Sequence, residues 1–294
     1  MGSIFPVKYT WLINFSVFSL LLVLACNKIQ PPTNLFEVHI KVIGHAGVGL
    51  REESKRFPAN SQAAIERALF YYGAEGIEVD VQLSSDDKLY LYHDELLSSR
   101  TNGSGCISEL NSTYLKELYY TGNEVRETRN HKLYTLSELL QLLSYDLSIP
   151  IFLDIRLGNS CRARTYAEFQ QFKENIVNQL ARLFQEMPNR NIKVISGEEE
   201  FLTLIKEKLP FIATFLERED SFEAIEKAVT KNFQGIININ SRISKSAIAT
   251  AHQHGLETVI FNTNSINGNI EAINKGPDYI QTDNILALQS ILTH

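Results

Sequence analysis

Apolar residues along this chain come in two kinds of run. In one kind, four to six residues rich in Val, Ile and Phe stand together, as in Ile151-Phe152-Leu153, and read as buried strands. In the other, apolar positions recur at helical spacing, as in Ala64, Ile65, Ala68 and Leu69 behind a cap at Asn60 or Ser61. Strands are predicted over 38–43, 77–81, 89–92, 151–156, 192–195, 211–216, 236–239, 258–261 and 279–281. Helices are predicted over 60–73, 136–143, 166–184, 198–209, 221–229, 245–254, 270–274 and 285–292. Regular alternation over about 260 residues predicts a single-domain α/β fold, a parallel (β/α)8 TIM barrel. A doubly wound sheet is the alternative, but no Gly-rich phosphate loop follows the first strand.

Nine strand runs compete for the eight staves of a barrel. The runs at 77–81 and 89–92 lie too close together for a crossover helix. An extended return of about seven residues spans roughly 23 Å and would keep both as staves. Otherwise the two form a hairpin, or the last strand is an extra stub. The polar stretch 95–133 shows one short helical pattern, at 113–118, and is expected to be a small insertion after the third strand that covers a site.

The polar positions inside the strands carry the chemistry. Glu78 and Asp80 sit two apart in Gly76-Ile77-Glu78-Val79-Asp80-Val81, so they share one face. Neighbouring carboxylates repel unless a cation, a proton or a basic partner stands between them. A hard divalent cation with oxygen ligands answers this, and a strand with its polar face in water would show the same spacing. His45 and His93 end strands, and Asp154 and Arg156 again stand two apart. In a barrel such strand ends meet at one mouth. Two histidines beside an acidic metal cluster suit acid–base chemistry on a phosphate ester, with Asp154 as third ligand and Arg156 as phosphate clamp.

The 294 residues are 44% hydrophobic and 21% charged, with net charge -6 and no Lys/Arg-rich run, which argues against nucleic acid as a partner. Residues 1–25 read as a signal peptide, with Lys8 ahead of an apolar run that includes Leu20-Leu21-Leu22-Val23-Leu24. Val23-Leu24-Ala25-Cys26 resembles a bacterial lipobox, with Cys26 lipidated and 26–36 a tether to a barrel over 37–294. Plain secretion or a short membrane anchor is the alternative. The expectation is an exported protein of the bacterial periplasm or envelope, held to the membrane by a lipid anchor. In an oxidising compartment Cys106 and Cys161 either pair or stay as buried thiols.

The motifs His45-Ala46-Gly47, Pro58-Ala59-Asn60-Ser61, Glu78-Val79-Asp80-Val81, His93-Asp94, Arg100-Thr101-Asn102-Gly103-Ser104-Gly105, Phe261-Asn262-Thr263-Asn264 and Thr282-Asp283 follow one another in order. Together they resemble the glycerophosphodiester phosphodiesterase family, a (β/α) barrel, over roughly residues 40–290. The resemblance implies metal-dependent hydrolysis of a glycerophosphodiester to an alcohol and glycerol phosphate. His45 and His93 would be the acid/base pair, and Glu78, Asp80 and Asp154 the ligands of Ca²⁺ or Mg²⁺. Arg156, Asn60 and Phe261 would contact substrate. Ala46 and Ala59 stand where the family has arginine and glutamate, so both ends of one ion pair are replaced together. Asp154 replaces the family's glutamate, as in the related sphingomyelinase D enzymes, and an ion is expected to shift toward its strand or bind through water. A phospholipase D- or C-type phosphodiesterase and a weakly catalytic barrel that binds a phosphate headgroup remain the alternatives.

Overall fold

The computed structural model describes residues 39–50, 56–121 and 131–292, together with Gly2 and Pro32. Residues 1–25 and Cys26 thus lie, but for Gly2, outside the described residues. Among the described residues no helix is long and apolar enough to cross a membrane.

Eight parallel staves close into a barrel. In chain order they are β1 (Lys41–Gly44), β2 (Gly76–Leu83), β5 (Ile151–Ile155), β6 (Ile192–Ser196), β7 (Ala213–Glu217), β8 (Gly235–Ile239), β9 (Glu257–Thr263) and β10 (Tyr279–Thr282). The parallel pairings β1–β2 and β1–β10 shut the ring. The remaining strands, β3 (Leu89–Leu91) and β4 (Tyr134–Thr135), pair antiparallel and are not staves.

The nine-strand conflict therefore resolves as a hairpin. β2 runs past the barrel rim, turns through residues 84–88 and pairs back with β3 from Val81↔Leu91 to Leu83↔Leu89. The five-residue return leaves no room for a crossover, so an antiparallel pairing is the geometry that satisfies both backbones. The insertion does follow the third strand of the chain, but that strand is a rim hairpin, and Asp154 sits on the third stave.

Helices follow the staves. α1 (Gln62–Glu66) is capped by Ser61, whose hydroxyl accepts from the Ala64 amide, and continues as a π-helical turn over Arg67–Tyr71. α3 (Leu136–Leu142) and α4 (Tyr166–Glu186) each start with a complete capping box, Thr135 with Glu138 and Thr165 with Glu168. The others are α5 (Glu199–Lys208), α6 (Ser221–Lys231), α7 (Lys245–Gln253), α8 (Ile266–Lys275) and α9 (Ile285–Leu292). α2 (Ser112–Leu115) belongs to the insertion.

Period-two alternation on the staves splits the apolar residues into two cores. Val42, Val79, Leu153, Val194, Leu216, Ile236 and Ile260 face the helices. Ile43, Phe152, Ile195, Phe215, Ile237, Val259 and Tyr279 fill the barrel interior. Phe152 is the interior pivot, with ring centroids 5.5 Å from Phe215 and 5.1 Å from Tyr279, both edge-on. Beneath this layer Lys193 is buried against Glu257 at 3.0 Å, and the Tyr279 hydroxyl donates to the same carboxylate at 3.0 Å. This pair closes the bottom of the barrel, where such residues serve stability.

The insertion has a core of its own, with Tyr92, Leu97, Ile107, Leu115, Leu118, Tyr120 and Leu133 buried together. A disulfide joins Cys106 in the insertion to Cys161 in the loop after β5, with Cα atoms 5.5 Å apart. It closes a loop across a separation of 55 residues. Closing a loop of that length removes chain entropy equivalent to about 4 kcal/mol from the unfolded state. The sequence left the two thiols free to pair or not; the fold brings them together at the rim.

Candidate active site

β2 supplies the centre of the site. Its inward row is Glu78, Asp80 and Gln82, all buried. Parallel register with β5 sets Glu78 opposite Phe152 and Asp80 opposite Asp154. Glu78, Asp80 and Asp154 each bring a carboxylate oxygen within 4.8 Å of the others. Burial and the charge of Asp80 push Glu78 well above the ordinary carboxylate range. Burial and the same charge raise Asp154.

Few groups offset this charge. The Ala46 amide donates to Glu78 Oε2 at 3.0 Å and Gln281 Nε2 donates to the same oxygen at 3.2 Å. Arg156 Nη1 donates to Asp154 Oδ2 at 3.0 Å and stands 3.7 Å from Asp80 Oδ1. Asn60 grips Asp80 at both ends: Nδ2 donates to Oδ2 at 2.7 Å, and Oδ1 accepts from the Asp80 amide at 3.0 Å. The Gln281 Oε1 beside Glu78 is buried without a hydrogen-bond partner. Three converging carboxylates, Glu78 and Asp80 buried and Asp154 half-buried, offer hard oxygen donors that fit a divalent cation of the Ca²⁺ or Mg²⁺ kind.

A tight loop after β1 delivers His45. Ala46 has φ 46° and Gly47 φ 89°, and a Cβ on Gly47 would lie 2.7 Å from the Ala64 backbone. This turn aims the Ala46 amide at Glu78 and keeps His45 at the mouth. His45 Nδ1 is bonded to Asp283 Oδ1 at 2.6 Å, and Nε2 lies 3.9 Å from Glu78 Oε2. Burial alone would lower the His45 pKa, but the Asp283 hydrogen bond and the charges of Glu78, Asp283 and Asp80 override it and raise it to about 9.

His93 arrives by the rim hairpin, which folds back so that the Tyr92 amide donates to the Asp80 carbonyl at 3.0 Å. Its Nδ1 is bonded to Asp94 Oδ1 at 2.7 Å, and Arg100 Nε donates to Asp94 Oδ2 at 3.0 Å. The His93 hydrogen bond and the Arg100 charge hold Asp94 below the usual carboxylate range, against the effect of burial. The Asn159 amide, two residues from Cys161, donates to the His93 carbonyl at 3.0 Å. Each histidine thus has its Nδ1 held by an aspartate, leaving Nε2 as the nitrogen open to proton exchange.

His45, Glu78, Asp80, His93, Asp154 and Arg156 converge as the sequence suggested. Asn60 and Phe261 are placed differently from one another. Asn60 spends both ends of its amide on Asp80, whereas Phe261 lies on the far wall of the mouth, among residues from β7 and β8. Ala46 and Ala59 are both buried, and the Asn60 amide donates to the Ala46 carbonyl at 2.9 Å, so two unpaired charges would be costly there. Asp283 stood in the Thr282-Asp283 motif without an assigned role, and Gln281 and Asn159 were not singled out. Alternation from Tyr279 does put Gln281 on the inward row of β10, which is the one signal for it.

Fold and site together define a (β/α)8 barrel with an acidic cluster and two aspartate-held histidines at the C-terminal mouth of its staves. The glycerophosphoryl diester phosphodiesterase family profile matches residues 51–287, and the chain belongs to that family. Among curated relatives, a glycerophosphodiester phosphodiesterase of Caldanaerobacter subterraneus subsp. tengcongensis is 33% identical over 117 residues, 40% of this chain and 45% of the relative. Glycerophosphodiester phosphodiesterase 1 of Mus musculus is 28% identical over 167 residues, 54% of this chain and 48% of the relative. The chain thus spans about half the length of the curated relatives it matches. A phosphodiesterase of Oleispira antarctica, solved in complex with the product sn-glycerol-3-phosphate, superposes with a TM-score of 0.74 at 20% identity. That superposition covers 86% of this chain and 97% of the other. A glycerophosphodiester phosphodiesterase of Parabacteroides distasonis gives 0.69 at 20% identity, again over 86% and 97%.

Proposed function

We propose that this protein hydrolyses a glycerophosphodiester to an alcohol and glycerol phosphate, using His45 and His93 as its acid/base pair. The observation that carries the reading is the pairing of each histidine with an aspartate beside one buried carboxylate cluster. Glu78, Asp80 and Asp154 would hold a divalent cation, which supplies charge neutralisation to phosphoryl oxygens. Arg156 adds a guanidinium at the same edge and binds a phosphoryl oxygen in exchange for part of its contact with Asp154. One histidine takes a proton from the attacking water at Nε2 as the new P–O bond forms; the other gives its Nε2 proton to the alkoxide that leaves as the P–O bond to the alcohol breaks. Asp283 and Asp94 fix the ring orientations, so no rotation is needed between steps. Asp154, one methylene shorter than the family's glutamate, keeps a phospholipase D-type substrate as the second reading.

The test is a diester panel. Glycerophosphocholine, glycerophosphoethanolamine, glycerophosphoglycerol, sphingomyelin and lysophosphatidylcholine are each incubated with Ca²⁺, Mg²⁺ or chelator. Metal-dependent release of alcohol from a glycerophosphodiester is expected. Turnover confined to the last two substrates selects the phospholipase D-type reading, and no turnover on any diester leaves a headgroup-binding barrel.

We also propose that the protein is exported and anchored through Cys26. Support comes from the lipobox-like Val23-Leu24-Ala25-Cys26 and from the Cys106–Cys161 disulfide, which suits an oxidising compartment. Cys26→Ala should move the protein from the membrane to the soluble fraction of the envelope; unchanged fractionation refutes the anchor.

A further inference from the structure

Across the mouth from the carboxylates lies a cavity of about 460 Å³, lined in part by Glu217, Arg218, Asn238, Ile239, Arg242 and Phe261. Phe215 packs in the barrel interior, so Glu217, two residues on, points inward at the rim. Ile239 and Phe261 occupy the same level of β8 and β9, as Ile239↔Phe261 are register partners.

Charge in this cavity is unevenly matched. Arg242 is paired with Glu219 at 2.7 Å. Arg218 is drawn to Glu199 and to the Gly197 carbonyl. Among the described residues the Glu217 carboxylate has neither a hydrogen bond nor an ion pair. Asn238 is buried, gives its Nδ2 to the Arg218 carbonyl at 2.8 Å, and has no partner for Oδ1. Burial and the charge of Asp154 raise the Glu217 carboxyl, which also places it within electrostatic reach of the acidic cluster. The cavity therefore offers a carboxylate without a direct partner and an aromatic ring, on the same rim as the acidic cluster.

We infer that Glu217, with Phe261, makes this cavity a selectivity pocket for an ammonium group on the alcohol side of the diester. The inference rests on the phosphodiesterase reading and assigns a headgroup chemistry to it. An ammonium ion gains from the half-buried Glu217 carboxylate and from the Phe261 ring face, both of which line the cavity. A neutral polyol leaves the Glu217 carboxylate without a direct partner, offset only by the more distant charges of Arg156 and Arg218. Specificity then comes from the penalty on the wrong headgroup as much as from attraction to the right one.

The test compares kcat/KM for glycerophosphoethanolamine and glycerophosphocholine with that for glycerophosphoglycerol. The wild type should favour at least one ammonium diester by about tenfold or more, an ordinary yield for a partly desolvated cation contact. Glu217→Gln should erase most of that ratio, Glu217→Asp should restore part of it, and Phe261→Leu should shift it in the same direction as Glu217→Gln. An equal loss on all three substrates, or a wild type without preference, overturns the assignment. Calorimetric Kd values for the same diesters, taken with Ca²⁺-loaded His45→Ala protein, read the preference without turnover. If no diester is hydrolysed, the phosphodiesterase reading fails by itself, and equal Kd values for charged and neutral headgroups then refute the role of Glu217.

Discussion

His45→Ala and His93→Ala should each lower kcat/KM on the accepted glycerophosphodiester by about 10²–10⁴-fold, the usual worth of a positioned acid or base. The two losses should not multiply in the double variant, because one proton circuit is broken by either change. Neither ring is a core residue: side-chain exposure is 21% for His45 and 30% for His93. For His93→Ala thermal stability should therefore move little; His45→Ala also gives up the stability tied to its raised pKa, so its melting curve is compared at pH 9, where that contribution is mostly lost. A variant that keeps more than about a tenth of the wild-type kcat/KM would remove that histidine from the acid/base pair. Replacing Asp283 by Asn tests positioning at Nδ1. Its effect should appear mainly in kcat and in the pH profile, since Asp283 holds the ring and helps raise the His45 pKa to about 9.

The second large effect is in the carboxylate cluster, read as stability against pH. Glu78 and Asp154 have raised pKa values, so above the ordinary carboxylate range the folded protein holds more protons than the unfolded chain. Stability then falls as pH rises. His45 works in the same sense: its contribution is complete below the unfolded value of 6.5 and is lost as pH climbs through about 9. In chelator the melting temperature should drop between pH 6 and 9. A cation that binds the ionised carboxylates reverses this trend, and at about 100-fold over Kd contributes ~2.7 kcal/mol, roughly 5–10 °C for a domain of this size. The Ca²⁺- or Mg²⁺-induced shift should be larger at pH 8 than at pH 5. Glu78→Gln should abolish it. It also removes one of the charges that metal-free protein must bury, so its melting temperature in chelator should fall less at high pH. An undiminished shift in Glu78→Gln, or no shift in wild type with either ion, would rule out the cluster as the cation site.

Much of the site was legible because strands write their geometry into spacing. The i, i+2 placement of Glu78 with Asp80 and of Asp154 with Arg156 determined which side chains share a face before any coordinates were needed. Alternating strands and helices pointed to a barrel over a doubly wound sheet, and a barrel gathers strand ends at one mouth. What spacing cannot convey is relative height between strands. Asp80 and Asp154 share a cluster because β2 and β5 pair in that register, and a shift of one residue would turn Asp154 outward.

The contacts between segments distant in the chain were settled by tertiary structure alone. Asp283 meets His45 across 238 residues because β10 closes against β1, and Gln281 reaches Glu78 across 203. The hairpin that brings His93 back to the rim could not be told from a ninth stave by composition, since both are short apolar runs. Cys106 and Cys161 pair because the insertion folds on its own core and packs at the rim beside the loop after β5. Nothing in the sequence singled out Glu217; its place on the mouth beside Phe261, among arginines already paired elsewhere, comes from the tertiary structure. The chain by itself thus pointed to the fold class and put the acidic and histidine side chains at strand ends, both through local periodicity and short motifs. Register, ring closure and the Asp283 contact with His45 were decided by packing, because they depend on which distant backbones come to lie side by side.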